Sequence, residues 1–311
     1  MQTAIKHIDQ AELLAVEKQI GNTRLKRFPY LEGNKGVEIY GKLEWENLSG
    51  SIKARAAFYI IKDAFLRGFL AGGKRLLDAS SGNTGIAYAK IAQILGIPVT
   101  LCIPENASRE RIKKLRALNV ELILTSRFDS TDGAQKKALQ LKSKNPDLYY
   151  YADQYKNENN WRAHYNGTAE EIWKQSQNRI THFINAIGTS GTFVGTGRKL
   201  KELNHDIKLI ALQPDSALHG MEGWKHLETA IAPEIYDASV ADEVREISTE
   251  SAYKMIRRVK QEEGLLISPS AAANLAAASK FSKEINTGVI VTTLADNADK
   301  YGEIIDFLFP K

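Results

Sequence analysis

Short apolar runs alternate along the chain with segments in which apolar residues recur every three or four positions. The apolar runs predict buried strands and the periodic segments predict amphipathic helices. The predicted strands are 37–44, 75–79, 99–103, 120–125, 148–151, 181–187, 207–212, 244–247 and 289–294. The predicted helices are 11–19, 56–66, 86–95, 108–118, 130–143, 170–175, 195–203, 250–262 and 271–281. This alternation is typical of parallel sheets covered by helices on both faces, so we expect an α/β fold.

The composition is that of an ordinary globular protein. The chain has 311 residues, of which 43% are hydrophobic and 25% charged, and this length suffices for two lobes. No run reaches the roughly 18 apolar residues of a membrane helix, and Met1–Gln10 is too polar for a signal peptide. The single cysteine, Cys102, lies in an apolar strand, which fits a cytoplasmic protein. The net charge of +5 is mild and its charges are interspersed, so we expect neither nucleic acid nor a membrane as a partner.

The turn Ser49–Arg55 places a lysine between a predicted strand and a predicted helix. Lys53 follows Gly50-Ser51-Ile52 and stands at or near the first turn of the helix predicted over 56–66. The positive end of a helix dipole disfavours another positive charge, and a lysine with a lowered pKa forms Schiff bases readily. A surface lysine in a helix's first turn has the same sequence, so this stretch alone leaves both interpretations open.

Two further turns combine glycines with small hydroxyl residues. The turn Ser80-Ser81-Gly82-Asn83-Thr84-Gly85 precedes a helix and suits a carboxylate or a phosphate, although an N-capped helix explains the same residues. The turn Gly188-Thr189-Ser190-Gly191-Thr192 is a stronger anion-site candidate, because its small residues permit close approach. The chain has neither the dinucleotide fingerprint G-x-G-x-x-G there nor the nucleoside-triphosphate loop, so a phosphate outside a nucleotide is favoured.

A reactive lysine, a carboxylate site and a phosphate site together suggest pyridoxal 5'-phosphate. This cofactor needs a lysine partner, an anchored phosphate and control of its ring nitrogen. Ser270, in Ser268-Pro269-Ser270-Ala271, is the candidate for the ring nitrogen. A serine hydroxyl leaves that nitrogen unprotonated, which suits elimination and replacement at the β-carbon. An ordinary helix N-cap explains Ser270 as well.

The order and spacing of these motifs resemble the cysteine synthase family of fold-type-II pyridoxal-phosphate enzymes. The matching motifs are Gly21-Asn22-Thr23, Lys42-Leu43-Glu44, Gly50-Ser51-Ile52-Lys53, Ser81-Gly82-Asn83-Thr84-Gly85, Arg179-Ile180-Thr181-His182-Phe183 and Gly188-Thr189-Ser190-Gly191-Thr192. They extend over nearly the whole chain. The chain departs from the family's pattern at Ala54, at Ser80 and over 267–273, and these departures bear on the subfamily and the preferred substrate.

The resemblance implies a fold and a role for each candidate residue. The fold is the two-lobed α/β fold of the tryptophan synthase β type, with 45–155 as one lobe, about 99–143 as its mobile part, and 1–44 with 156–311 as the large lobe. Lys53 is implied to carry the cofactor as a Schiff base and to move the α-proton. The other implied cofactor contacts are Asn83, Gly188, Thr189, Ser190, Gly191, Thr192 and Ser270. The implied contacts of the substrate carboxylate are Ser80, Ser81, Thr84 and Gln154, and no metal is expected.

The resemblance also implies a reaction and an assembly. In that reaction an O-acetyl-L-serine, or alternatively an O-phospho-L-serine, is converted through an aminoacrylate to L-cysteine by sulfide or another sulfur donor. A homodimer is the implied assembly. The alternative enzymes are a cystathionine β-synthase-like or diaminopropionate synthase-like enzyme and a serine or threonine dehydratase. The non-enzymatic alternatives are a catalytically dead scaffold and a dinucleotide-binding protein, which the presence of Lys53 and the missing fingerprint disfavour.

Lys225 is the candidate contact for a phosphate leaving group. It lies in a segment that follows a predicted strand, eight positions before Pro233. In members of the resembled family that accept O-phosphoserine, an arginine lies in the corresponding segment. A lysine binds a phosphate as a point charge, without the two-pronged geometry of arginine. An exposed lysine on a short helix is the alternative interpretation.

Overall fold

The computed structural model describes residues 10–80, 82–128 and 130–310. The described strands are β1 (Leu25–Arg27), β2 (Gly36–Leu43), β3 (Arg75–Ala79), β4 (Val99–Pro104), β5 (Glu121–Thr125), β6 (Tyr149–Tyr151), β7 (His182–Ala186), β8 (Lys208–Pro214), β9 (Glu243–Ile247) and β10 (Thr287–Leu294). The described α-helices are α1 (Gln10–Glu17), α2 (Lys53–Leu66), α3 (Asn83–Leu95), α4 (Arg109–Ala117), α5 (Ser130–Lys144), α6 (Asn159–Ala163), α7 (Ala169–Gln175), α8 (Gly191–Leu203), α9 (Thr249–Glu263), α10 (Pro269–Phe281) and α11 (Gly302–Leu308). A π-helical turn, His164–Thr168, lies between α6 and α7.

The contacts within the chain divide it into two compact units. Among the described residues, the first unit contains 10–20, 47–49 and 53–160, and the second contains 21–46, 50–52 and 161–310. The family resemblance implied that 1–44 belongs to the large lobe, whereas the contacts place α1 in the first unit. The reason is that Leu13 and Val16 of α1 are buried in the same core as residues of α2 and α3. The mobility of about 99–143 stays a prediction.

The sheet of the first unit is parallel throughout the described residues. Its strand order is β5-β4-β3-β6, and each neighbouring pair is parallel. Successive side chains of a strand point to opposite faces. Leu76 accordingly packs in a core with α2 and α3, whereas Leu77 packs on the other face with Ala134 and Ala138 of α5. The sheet therefore has helices on both faces, as the apolar runs predicted.

The sheet of the second unit has the strand order β1-β2-β10-β7-β8-β9 in the part of the chain that the structure describes. All of its pairs are parallel except β1 with β2, which is antiparallel. Ile184 and Ile290 share one core with residues of α9 and α10, and Phe183 shares another with Phe193 of α8. The predicted α/β fold with parallel sheets between helices is confirmed. A strand after the turn at 21–25 is expected from the sequence, but the antiparallel pairing of β1 with β2 was not predicted.

Candidate active site

Lys53 is the first residue of α2 and is half-buried, so it lies in the first helical turn as predicted. The three residues before it are fixed by backbone contacts within the second unit. Ser51 forms an antiparallel bridge with Asp296, and the N–H group of Ile52 donates to the carbonyl oxygen of Ala295 at 2.9 Å. The ammonium of Lys300 donates to the carbonyl oxygen of Gly50 at 3.2 Å. The backbone that leads into Lys53 is therefore held at three consecutive residues.

The turn at 80–85, the predicted site for a carboxylate, is shorter than expected, because α3 already begins at Asn83. The N-cap residue Gly82 has no side chain with which to cap the helix. The backbone N–H groups at the start of a helix favour a bound anion. The side chain of Ser80 accepts the N–H group of Gly85 at 3.2 Å. Ser81 lies outside the described residues.

The structure brings Thr84 and Gln154 together, although they are far apart in sequence. The hydroxyl of Thr84 donates to Oε1 of Gln154 at 2.7 Å, and both side chains are buried. Nε2 of Gln154 donates to the carbonyl oxygen of Ala79 at 3.2 Å. These contacts fix which end of the Gln154 amide faces the start of α3.

The predicted phosphate turn leads directly into α8, which begins at Gly191 rather than at 195. Ser190 precedes the helix in the left-handed region, with φ at 68°, and its hydroxyl donates to the carbonyl oxygen of Thr189 at 2.6 Å. A side chain at Gly188 is impossible, because its Cβ would lie 2.2 Å from the carbonyl oxygen of Gly223. The turn therefore presents the N-terminus of a 13-residue helix behind small residues, and this arrangement suits a phosphate group.

His164 stands next to the phosphate turn and was missed by the sequence analysis. Its Nε2 lies 3.3 Å from the hydroxyl of Thr192, and its Nδ1 lies 2.9 Å from the hydroxyl of Thr168. The imidazole is buried, and Gly195 lets α8 approach this segment, because a Cβ there would lie 2.0 Å from the carbonyl oxygen of Trp161. The sequence signal that could have found His164 is the His–Thr spacing of four residues, which places both side chains on one helical face.

Ser268, and not Ser270, is the N-cap of α10. The hydroxyl oxygen of Ser268 accepts the N–H group of Ala271 at 3.2 Å, and Pro269 occupies the first helical position. The hydroxyls of Ser268 and Ser270 lie 3.0 Å apart, and both are buried. The N-cap interpretation of Ser270 is therefore wrong, since its neighbour performs that role.

Lys225 lies in a loop rather than on a short helix. Its backbone N–H group donates to the carbonyl oxygen of Ile187 at 2.9 Å, which places it beside the residue that precedes the phosphate turn. Its ammonium donates to the carbonyl oxygen of Ile231 at 2.9 Å. This contact bends the side chain towards the following part of the loop.

The candidate residues form two groups, one on each unit. The first unit carries the amine of Lys53, the amide of Asn83 and the Thr84–Gln154 pair. The second unit carries the turn at 188–192 and Ser270. The glycine at 188 permits the close approach of the Gly223 carbonyl oxygen, and the feature that suits a phosphate monoester is the start of α8 behind the turn. The amine of Lys53 and this helix start therefore fit the cofactor's aldehyde and phosphate.

Within the described ranges, no cluster of three or more His, Cys, Asp and Glu side chains is arranged to bind a metal ion. None of the helices in these ranges combines the length and the apolar composition that crossing a membrane requires.

Comparison with known proteins gives the same family along almost the whole chain. A family model described as pyridoxal-phosphate dependent enzyme matches residues 16–296. The cysteine synthase of Aquifex aeolicus is 42% identical, over 91% of this chain and 89% of that protein. The cysteine synthase B of Pseudomonas aeruginosa is 38% identical, over 91% of this chain and 93% of that protein. The crystal structure of a cysteine synthase from Entamoeba histolytica has a TM-score of 0.86 at 30% identity, over 100% of this chain and 98% of that one. The chain therefore belongs to the pyridoxal-phosphate-dependent enzymes and, within them, to the cysteine synthase family.

Proposed function

We propose that this enzyme forms L-cysteine from O-acetyl-L-serine and sulfide or another sulfur donor by replacement at the β-carbon. The observation that carries the proposal is the position of Lys53 at the start of α2. In the same chain, α3 and α8 begin within the turns at 80–85 and 188–192, the two candidate anion sites. An amino-acid substrate and a phosphorylated cofactor supply the two anions that such turns favour.

The role of each residue in the proposed reaction follows from the chemistry of its side chain. Bound pyridoxal phosphate delocalises the negative charge left on Cα when the α-proton is removed. Lys53 holds the cofactor, accepts the α-proton at Nζ and returns it to Cα, for which it needs its neutral form. The positive end of the α2 dipole favours that form. Across the whole reaction the Cβ–O bond breaks, acetate leaves with the bonding pair, and the donor's sulfur forms the Cβ–S bond.

The remaining candidate residues bind and orient. Ser80, Thr84 and Gln154, with the start of α3, orient the α-carboxylate, and Ser81 is proposed for the same role. The residues of the turn at 188–192 bind the cofactor phosphate, Asn83 binds the oxygen on the cofactor ring, and Ser270 faces the ring nitrogen. The support for these assignments is the Thr84–Gln154 hydrogen bond, the start of α8 within the turn at 188–192, and the release of Ser270 from the N-cap role.

We extend the proposal to O-phospho-L-serine as a second substrate, with Lys225 as the contact of its phosphate. The support is the hydrogen bond from the backbone N–H group of Lys225 to Ile187, which brings the backbone of this residue next to the turn at 188–192. A lysine at such a place attracts a phosphate by charge alone. A homodimer and a cytoplasmic location belong to the same proposal, and the single cysteine, which is buried, supports a reducing compartment.

The direct test is a product assay with the cofactor-loaded enzyme. We expect L-cysteine and acetate in equal amounts from O-acetyl-L-serine and sulfide, and no L-cysteine when sulfide is omitted. Formation of pyruvate and ammonia in place of L-cysteine, with sulfide present in excess, would indicate a dehydratase and contradict the proposal.

A further inference from the structure

Asp78 is a fully buried carboxyl in β3, two positions before Ser80. Its Oδ1 accepts the backbone N–H group of Ala79 at 2.8 Å, and its Oδ2 accepts that of Gln154 at 3.4 Å. Those N–H groups belong to the ends of two neighbouring parallel strands, β3 and the segment after β6. One carboxyl thus joins the two segments that carry the proposed contacts of the substrate carboxylate.

Besides its backbone N–H group, Gln154 has three polar groups that form hydrogen bonds. Its Nε2 donates to the carbonyl oxygen of Ala79 at 3.2 Å, and its Oε1 accepts from Thr84 at 2.7 Å. Its backbone oxygen accepts from Nδ2 of Asn160 at 2.7 Å. Asp78 accepts from the N–H groups of both Ala79 and Gln154, so it links the two segments between which the Gln154 amide lies.

Two properties of Asp78 are separate: its oxygens accept two hydrogen bonds, and its burial disfavours its negative charge. The Tyr88 side chain of α3 is buried beside it, and its hydroxyl acts to lower the pKa of the Asp78 carboxyl. Burial raises the pKa of Asp78 to about 7, and the Asp153 carboxylate acts in the same direction. The N–H groups of Ala79 and Gln154 act in the opposite direction. A carboxyl accepts from both N–H groups, whereas an asparagine in its place would accept with one oxygen only.

We propose that Asp78 is a positioning residue for the substrate's α-carboxylate, acting through Ala79 and Gln154 to hold the Gln154 amide against Thr84. This inference rests on the proposed function, which assigns the Thr84–Gln154 pair to that carboxylate. The alternative is a carboxyl that stabilises the strand ends without affecting substrate binding.

The test is calorimetric titration of the cofactor-loaded enzyme with L-alanine, which has an α-carboxylate but no leaving group at Cβ. Asp78→Asn and Gln154→Ala should each weaken L-alanine binding about tenfold, the effect of roughly one lost hydrogen bond. The double variant should be no weaker than Gln154→Ala, because both changes act on the same contact. The matched control is Tyr88→Phe, which removes the neighbouring hydroxyl but keeps both N–H contacts and should change the affinity less than about twofold. In a steady-state assay, Asp78→Asn should raise KM for O-acetyl-L-serine and leave kcat within about threefold.

Results that differ from these expectations contradict either the role of Asp78 or the proposed carboxylate contact. Multiplied losses in the double variant, or unchanged affinity in Asp78→Asn beside weakened affinity in Gln154→Ala, would overturn the role of Asp78. Unchanged affinity in Gln154→Ala would instead overturn the proposed carboxylate contact. If Asp78→Asn does not fold, Asp78→Glu replaces it, since glutamate keeps two acceptor oxygens. A folded Glu variant should stay within about threefold of the parent, and a loss as large as that of Gln154→Ala would overturn the inference.

Discussion

The hydroxyl of Thr192 has the best-defined surroundings of the side chains in the phosphate turn, because His164 lies 3.3 Å from it and is itself oriented by Thr168. We expect Thr192→Ala to weaken cofactor binding by about 1–3 kcal/mol, the value of a lost charge-assisted hydrogen bond. Equilibrium dialysis against pyridoxal phosphate measures this loss. The control is Thr196→Ala one turn further along α8, whose buried hydroxyl has no hydrogen-bond partner in the described part of the chain. Equal affinity in Thr192→Ala and the parent would show that the hydroxyl does not bind the phosphate.

Lys225 is tested by the difference between two substrates. Lys225→Ala should lower kcat/KM for O-phospho-L-serine by about tenfold or more, since a charge contact of ~1.4 kcal/mol is lost. The value for O-acetyl-L-serine, which has no phosphate, should stay within about twofold. Lys283→Ala, at an exposed lysine of the same unit, is the matched control. Equal losses on both substrates, or none on either, would remove Lys225 from the proposed site.

The raised pKa of Asp78 predicts a pH dependence of folding stability. The groups that act on this carboxyl are Asp153, the Tyr88 hydroxyl and the N–H groups of Ala79 and Gln154. The pKa is about 7 in the folded protein, against 3.8 for a fully solvated aspartate, so between these values the folded state binds the proton more tightly than the unfolded chain does. The contribution of the Asp78 proton to the free energy of unfolding is complete below pH ~4. It falls by up to ~1.4 kcal/mol per pH unit until about pH 7.

Urea unfolding at several pH values between 5 and 8 measures this stability. The control is the variant Asp78→Asn, whose asparagine side chain does not titrate. The parent should lose stability relative to Asp78→Asn as the pH rises towards 7, and the difference should level off above that. Parallel pH profiles of the two proteins would mean that Asp78 does not titrate in this range.

Single residues were predictable from the sequence where local chemistry fixes their place. Lys53 was placed correctly because a strand, a glycine turn and a helix surround it in sequence. His164 and Asp78 were missed because the partners that define them, Thr192 and Gln154, are distant in sequence. Ser270 was open to two interpretations, since only the hydrogen bond from Ala271 distinguishes it from Ser268.

Among the elements, the two helices behind the anion-type turns begin earlier than predicted. Their first residues are Asn83 and Gly191, whereas the sequence pattern placed the starts at 86 and 195. Asparagine, threonine and glycine have low helix propensity, so the periodic signal starts only after them. The short elements α6 and α11 were also missed, and they lie where the apolar period is too brief to detect.

Lys42 joins strand β2 to helix α7 through a buried ion pair. Its ammonium lies 2.8 Å from Glu171 and donates to the carbonyl oxygen of Thr23 at 2.8 Å and to Gln175 at 3.0 Å. Lys42→Ala should lower the free energy of unfolding by about 3 kcal/mol or more, because it leaves Glu171 without the cation.

Chemical denaturation measures this change, and the control is Lys174→Ala at an exposed position of the same helix. That substitution should change stability by less than about 0.5 kcal/mol. A similar small effect at Lys42 would show that the ion pair does not support the attachment of α7.

At the scale of the whole molecule, the alternation of apolar runs and periodic helices was sufficient to predict parallel sheets between helices. The assignment of 1–44 to one lobe differs from the contacts, because the chain passes between the two units after residue 20 and within 46–53 as well as after residue 160. Such passages depend on which core buries α1 and the segment 47–49, and no local pattern encodes that choice. The ordered motifs identified the family because they extend over both units.

The most direct measurement is the identity of the lysine that carries the cofactor. The purified enzyme is loaded with pyridoxal phosphate, reduced with borohydride and digested, and the modified peptide is identified by mass spectrometry. We expect the added mass on Lys53. In Lys53→Ala we expect no specific label and at least ~10³-fold lower turnover, since base and Schiff-base partner are both lost. A label on another lysine, or turnover in Lys53→Ala within tenfold of the parent, would contradict the assignment of the active site.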